Sequence, residues 1–93
     1  MPNILKLITK DHDIIEGIRN GNESVLLNLY RKNIRMITHF VTSRNGAISD
    51  ATEILQEAII VLWENVRKDR FVLKSKISTY LFGVAKNKIV SEI

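Results

Sequence analysis

The placement of proline and glycine limits this chain to long helices joined by short turns. The only proline is Pro2, and the four glycines fall at positions 17, 21, 46 and 83. Because proline and glycine most often interrupt regular structure, the intervals between them can form uninterrupted helices. Apolar residues recur every three or four positions in these intervals, which is helical spacing. We therefore predict an all-α fold, a compact bundle of about four helices.

The predicted helices have short, polar connections. The first two cover about residues 11–20 and 23–43, and end at Asn20-Gly21-Asn22 and Arg44-Asn45-Gly46. The third covers about 50–66. The fourth begins near residue 75, after the loop RKDRFVLK, and is still periodic at residue 93. The expected core positions are Ile14, Ile15, Ile18, Leu26, Tyr30, Ile34, Ile37, Val41, Ala51, Ile54, Leu55, Ala58, Ile59, Leu62, Trp63, Val66 and Tyr80.

Composition defines the broad class of protein. There is no cysteine, which excludes a disulfide framework and a thiolate metal site. Lys6 and Lys10 interrupt the apolar runs of the N-terminus, so it lacks the apolar core of a signal peptide. We expect a cytoplasmic protein. It has a lead-in over residues 1–10 and one helical domain over residues 11–93. We expect Asp11 or Asp13 to cap the first helix.

The charge of the chain changes sign at residue 67. Residues 50–66 contain four acids and no base, whereas residues 67–88 contain seven lysines or arginines and one aspartate. The net charge of +4 can serve solubility alone, but clustered bases are typical of a protein that binds a polyanion. Two surfaces of opposite sign predict two partners, one basic and one anionic such as nucleic acid.

The acidic segment has two explanations. Asp50, Glu53, Gln56 and Glu57 are spaced by three and four residues, so they share one helix face that can bind a basic partner. Asp50 and Glu53 also fit a capping box, in which both side chains satisfy free backbone N–H groups. Capping does not account for Gln56, Glu57 or Glu64, for which a solvated helix face is the alternative.

The basic segment also has alternatives. Gly83 lies on one helix face between Lys76 and Lys86, where a missing side chain admits either a phosphate backbone or a neighbouring helix. Lys74 and Lys76 flank Ser75 at the predicted helix start, a position that favours phosphate. Phe71 in the basic loop either stacks on an unpaired base or packs beneath the loop, and the residues alone favour packing.

Catalysis has little support in the sequence. His12 and His39 are far apart, and His39 falls near an apolar stripe, which is typical of a packed residue. The chain has no HExxH motif, P-loop, dinucleotide-binding motif or nucleophile elbow. We expect a protein that is not an enzyme and needs no cofactor or metal.

Three segments of the chain match known sequence patterns. DATEILQEAIIVLWENV resembles the pattern D-A-E-D-x-x-Q-E-x-F-x-x-x-W, and STYLFGVAKNKIV resembles a helix ending in W-L-F-x-I-A-R-N. In IIEGIRNGNESVLLNLYRKNIRMITHFV, a Gly-Asn-Glu turn precedes a helix with a Leu-Tyr pair. In this order the three segments resemble region 2 of the sigma-70 family of RNA polymerase sigma factors, most closely that of the extracytoplasmic-function group. The resemblance covers about residues 11–93.

The resemblance implies a role for each charged surface. Asp50, Glu53, Gln56 and Glu57 match positions that dock on the basic clamp coiled coil of core RNA polymerase. The loop 67–74 and the fourth helix match the part that reads the promoter −10 element as single-stranded non-template DNA, with one base flipped into a pocket. The residues implied in DNA binding are Arg67, Lys68, Arg70, Phe71, Lys74, Lys76, Thr79, Lys86 and Asn87.

Phe71 and Asn87 match positions at or beside that pocket, where an amide can bond a base edge.

The chain departs from the family pattern at several positions, so the base preference does not carry over. Nothing in it matches the family's second, −35-reading domain, so we expect weak promoter affinity. The predicted fourth helix reaches the end of the sequence without a capping glycine or breaker, which indicates a fragment of a longer protein; a frayed helix end is the alternative. The alternative is a helical interaction module that binds only a regulator, and an anti-sigma factor is a possible partner of either. The departures are Thr52, Ala58-Ile59, Tyr80 and Lys86, which stand where the family prefers an acid, a Phe, a Trp and an Arg.

Overall fold

Four α-helices and no strand make up the part of the chain that the computed structural model describes, namely the backbone of residues 4–92 and the side chains of residues 10–88. The predicted all-α fold of about four helices is confirmed. Residues 1–3 of the expected lead-in and residue 93 at the end of the fourth helix lie outside the described residues. The helices are α1 (Ile4–Arg19), α2 (Ser24–Thr42), α3 (Ile48–Arg67) and α4 (Ile77–Glu92).

The first helix begins earlier than the sequence predicts. α1 starts at Ile4, and Asp11 and Asp13 lie well inside it, so neither caps its start. No proline or glycine lies between Ile4 and Asp11, and the helix therefore continues through most of the expected lead-in. α3 starts two residues before the predicted Asp50, and α4 starts two residues after the predicted Ser75.

The turns after α1 and α2 form where Gly and Asn predict them. Gly21 has a φ of 73°, and the N–H of Asn22 donates to the carbonyl of Gly17 at 2.8 Å. After α2, Asn45 has a φ of 66° and the N–H of Gly46 donates to the carbonyl of Val41 at 3.0 Å. Both are left-handed helix ends, which glycine and asparagine tolerate best.

The third helix is central to the packing: α2, α4 and α1 each contact α3 more extensively than they contact one another. The buried face of α2 differs from the prediction: Leu29 and Asn33 lie in the core, whereas Tyr30 and Ile34 are half-buried at its edge. The amide of Asn33 stays satisfied because its Nδ2 donates to the carbonyl of Leu29 at 2.7 Å. The largest fully buried side chains are Ile18, Ile37, Leu55, Leu62, Ile77 and Leu81.

Two polar contacts attach α1 to the far end of the chain. The Asp11 carboxylate accepts a hydrogen bond from the N–H of Ile77, the first residue of α4, at 3.0 Å. The guanidinium of Arg67, the last residue of α3, donates to the carbonyl of Arg19 at 2.8 Å and to that of Ile18 at 3.4 Å. Each contact satisfies backbone groups that a helix end leaves free.

In the part of the chain that the structure describes, no helix is long and apolar enough to cross a membrane.

Candidate functional site

The acidic side chains of α3 form an exposed ridge. Glu53, Gln56 and Glu64 are exposed. Asp50 is exposed too, but its Oδ2 accepts the N–H of Ala47 at 3.0 Å and so caps the first turn. The capping explanation therefore holds for Asp50 alone, because α3 begins at Ile48 and Glu53 lies beyond the first turn.

Glu57 connects the ridge to α4. Its Oε2 lies 3.0 Å from the Nζ of Lys88, and the Glu57 side chain is 41% exposed. An ion pair with this exposure contributes at most about 1 kcal/mol to stability. The carboxylate thus keeps one side open to a partner while its position is fixed by α4.

Apolar side chains beside the ridge were missed by the sequence reasoning. Ile60 is 55% exposed, and its spacing of three and seven residues from Glu57 and Glu53 puts it in the middle of the acidic ridge. The hydroxyl of Tyr30 donates to Oγ1 of Thr52 at 3.4 Å, so α2 lies against this side of α3. The sequence does indicate this position, because the helical spacing of Ile60 matches that of the acids and not that of the core residues.

The basic loop encloses a hollow beside the start of α4, with a volume of about 430 Å³. Phe71 is half-buried and meets Tyr80 edge to face, with ring centroids 4.9 Å apart. This contact supports the packed explanation for Phe71, yet the ring also lines the hollow. The lining residues are Asn65, Arg70, Phe71, Val72, Lys74, Ser75 and Tyr80.

Asn65 is a site residue that the sequence reasoning did not single out. Its Nδ2 donates to the Tyr80 hydroxyl at 3.1 Å, so an amide and a phenol meet in the wall of the hollow. Asn65 also accepts the N–H of Arg70 on its backbone carbonyl at 2.8 Å, which fixes the start of the loop. An amide and a hydroxyl in one wall can donate to and accept from a polar ring edge.

One backbone N–H at the N-terminus of α4, that of Ile77, is not available to the phosphate predicted there. The Asp11 carboxylate already accepts the N–H of Ile77 there, and a second anion at the same amide would be repelled. Lys76 instead borders a separate hollow of about 290 Å³, to which Lys10 and Lys32 also contribute.

The predicted DNA-binding residues fall into four groups. Arg70, Phe71 and Lys74 line the loop hollow. Arg67 lies apart, since its guanidinium bonds the end of α1. Lys76, Thr79 and Lys86 are all exposed, and helical spacing puts them on one side of α4 together with the half-buried Gly83. The remaining predicted residues, which line neither hollow, are Lys68 and Asn87, and both are exposed.

One further prediction about the surface is wrong. His39 is exposed and not packed, because it lies on the opposite side of α2 from the buried residues Leu29, Asn33 and Ile37. It borders a shallow depression with Arg35 and Thr38.

An all-α domain with an acidic ridge on one helix and a basic hollow beside the next belongs to the class of binding modules. Comparison with protein families identifies which one: the family model for sigma-70 region 2 matches residues 29–93, and the chain belongs to this family. No curated protein and no solved structure matches the chain. Sigma-70 region 2 is a non-enzymatic domain of transcription initiation that binds core RNA polymerase and recognises the promoter −10 element.

Proposed function

We propose that this chain is the region 2 domain of an extracytoplasmic-function sigma factor, in which the α3 ridge docks on the clamp coiled coil of core RNA polymerase and the loop hollow holds a flipped base of the −10 element. The observation that supports this most directly is the loop hollow, which has an aromatic pair, an amide and two basic side chains around one space. Since RNA polymerase works in the cytoplasm, we place the domain there.

The docking half rests on the exposed ridge. Glu53, Gln56 and Glu57 offer carboxylates and an amide to basic residues of the coiled coil, and Ile60 gives the ridge an apolar centre. Asp50 contributes mainly charge, because one of its oxygens already caps α3. Charge complementarity of this kind raises the association rate and fixes orientation.

The base-binding half rests on the wall of the loop hollow. The Phe71 and Tyr80 rings offer apolar surface for a flipped base, and the Asn65 amide and Tyr80 hydroxyl can bond its edge. Arg70 and Lys74 at the same hollow offer positive charge to the neighbouring phosphates. Lys68, Thr79, Lys86 and Asn87 extend the exposed basic surface along the loop and α4.

Binding of a single-stranded −10 oligonucleotide by fluorescence anisotropy, as a function of salt, tests the DNA half. Each lost phosphate contact makes the slope of log Kobs against log salt less negative by about 0.7 for single strands, so Arg70→Ala with Lys74→Ala is expected to make it less negative by about 1.4. The matched control is Arg31→Ala with Arg35→Ala, two exposed bases of α2 that do not line the loop hollow. Equal slopes for the two double variants would refute the DNA assignment.

Core RNA polymerase binding tests the docking half. Glu53→Lys is expected to weaken binding by 2 kcal/mol or more, roughly 30-fold, because it removes an attraction and adds a repulsion. Glu23→Lys is the control: Glu23 is an exposed acid of the same charge at the start of α2, with no side-chain cap hydrogen bond. If both variants bind polymerase equally, the ridge is not the docking surface.

The alternative, a module that binds only a regulator protein, is separated by the same oligonucleotide experiment. Such a module binds the regulator through its exposed surfaces but does not bind the −10 oligonucleotide. An anti-sigma factor that covers the α3 ridge would compete with polymerase. This competition is measured by adding the factor to the polymerase binding assay.

A further inference from the structure

Gly83 is a glycine for which the fold gives no internal reason. The absent side chains of Gly17 and Gly46 leave room for valines of α2, and Gly21 has the positive φ that its turn requires. At Gly83 a Cβ atom would meet nothing within 4 Å among the described residues. Contact with a neighbouring helix, one of the two explanations open from the sequence, therefore does not explain this residue.

Glycine at this position weakens α4. Gly83 is in the interior of the helix Ile77–Glu92, where glycine lowers stability relative to alanine because its unfolded backbone has more freedom to lose. A residue that lowers stability and makes no packing contact is expected where function needs it.

The surroundings of Gly83 indicate the ligand. Gly83 itself is half-buried, but Thr79, one turn before it on the same side of the helix, is exposed, as are Lys76 and Lys86 on either side. Lys76 immediately precedes α4, and the ten steps from it to Lys86 correspond to about 15 Å along a helix, the rise of about four nucleotides in one DNA strand. The face thus has two positive charges with bare backbone between them.

We propose that Gly83 is the point of closest approach between α4 and the sugar-phosphate backbone of promoter DNA. Without a Cβ, the backbone of α4 lets the strand come near enough for Lys76 and Lys86 to reach phosphates on both sides. This inference rests on the proposed DNA-binding function. It adds to the DNA-contacting residues one that has neither a charge nor a hydrogen-bonding side chain.

Gly83→Ala tests the inference, because it is expected to change stability and binding in opposite directions. The Tm of the 93-residue chain is expected to rise by about 2 to 8 °C. The Kd for a DNA probe with duplex upstream of a single-stranded −10 strand is expected to increase roughly fivefold or more, and further for Gly83→Leu. The loss is expected to be equal for −10 and scrambled probes, since a backbone contact reads no sequence.

Asn28→Leu is the control, since Asn28 is an exposed residue inside α2 where leucine also favours the helix. Asn28→Leu is expected to leave the Kd unchanged. A higher Kd for Gly83→Ala would then come from the added side chain at Gly83 and not from stabilisation of a helix. If the unsubstituted chain binds −10 DNA and Gly83→Ala binds it equally well, the inference is wrong and the proposed function stands. No DNA binding by the unsubstituted chain overturns both. A lower Tm for Gly83→Ala, or a loss confined to the −10 sequence, also overturns the inference.

Discussion

Replacing Asp11 with alanine is expected to destabilise a helix that begins 66 residues further along the chain. The Asp11 carboxylate accepts the N–H of Ile77 at 3.0 Å, and Ile77 is only 2% exposed, so water cannot replace the lost acceptor freely. Removing an N-terminal cap costs about 0.5–2 kcal/mol, and a hydrogen bond with a charged partner contributes about 1.5–3 kcal/mol. Since Asp11 itself is half-buried, we expect Asp11→Ala to lower the free energy of unfolding by about 1–2 kcal/mol.

Thermal unfolding followed by circular dichroism measures this loss. For a domain of this size about 1 kcal/mol corresponds to 4–8 °C, so a fall in Tm of roughly 4–16 °C is expected. Asp11→Asn keeps an acceptor but loses the charge, so its Tm is expected to lie between that of the unsubstituted chain and that of Asp11→Ala. Asp13→Ala is the control, because Asp13 is exposed on the same helix and its loss is expected to stay within about 0.5 kcal/mol. Equal Tm values for Asp11→Ala and Asp13→Ala would refute the tertiary cap.

Three further predictions concern side chains that connect the helices. Arg67→Ala is expected to destabilise the fold by about 1 kcal/mol by removing two hydrogen bonds to α1, measured by urea unfolding; an unchanged midpoint would contradict a structural role. Tyr80→Phe removes the acceptor of the Asn65 amide and is expected to lower the free energy of unfolding by about 0.5–1.5 kcal/mol. It is also expected to reduce the preference for −10 over scrambled oligonucleotides, measured by anisotropy. If that preference is retained, the hydroxyl does not take part in base recognition. Lys88→Gln is expected to lower the free energy of unfolding by less than about 1 kcal/mol, since the ion pair of Lys88 with Glu57 is partly exposed; a larger loss in calorimetry would show a stronger coupling of α3 to α4.

The fold was predictable because apolar spacing and turn residues agree along the chain. Ile15, Ile18 and the apolar positions of α3 follow helical periodicity, and the glycine and asparagine turns end α1 and α2 as expected. The start of α1 was not predictable from capping residues. Asp11 and Asp13 look like cap residues, but Asp11 caps a different helix, and a contact between distant residues leaves no local pattern.

The candidate site was predictable by its charges and not by its shape. The acidic ridge and the basic loop follow directly from residue spacing. The role of Asn65 was not predictable, because its amide becomes relevant only when the loop brings Phe71 and Tyr80 beside it. Arg67 is the converse case: its charge matches the basic loop, whereas its hydrogen bonds are made to α1.

The bonds of Arg67 to α1 also bear on where a shortened chain can begin. The family match begins at Leu29, whereas the two carbonyls that Arg67 bonds, and the core residues Ile15 and Ile18, lie before it. A chain shortened to start at Leu29 would lose both acceptors of the Arg67 guanidinium and two side chains of the core. The segment that matches the family model is therefore smaller than the packed core, which includes residues of α1.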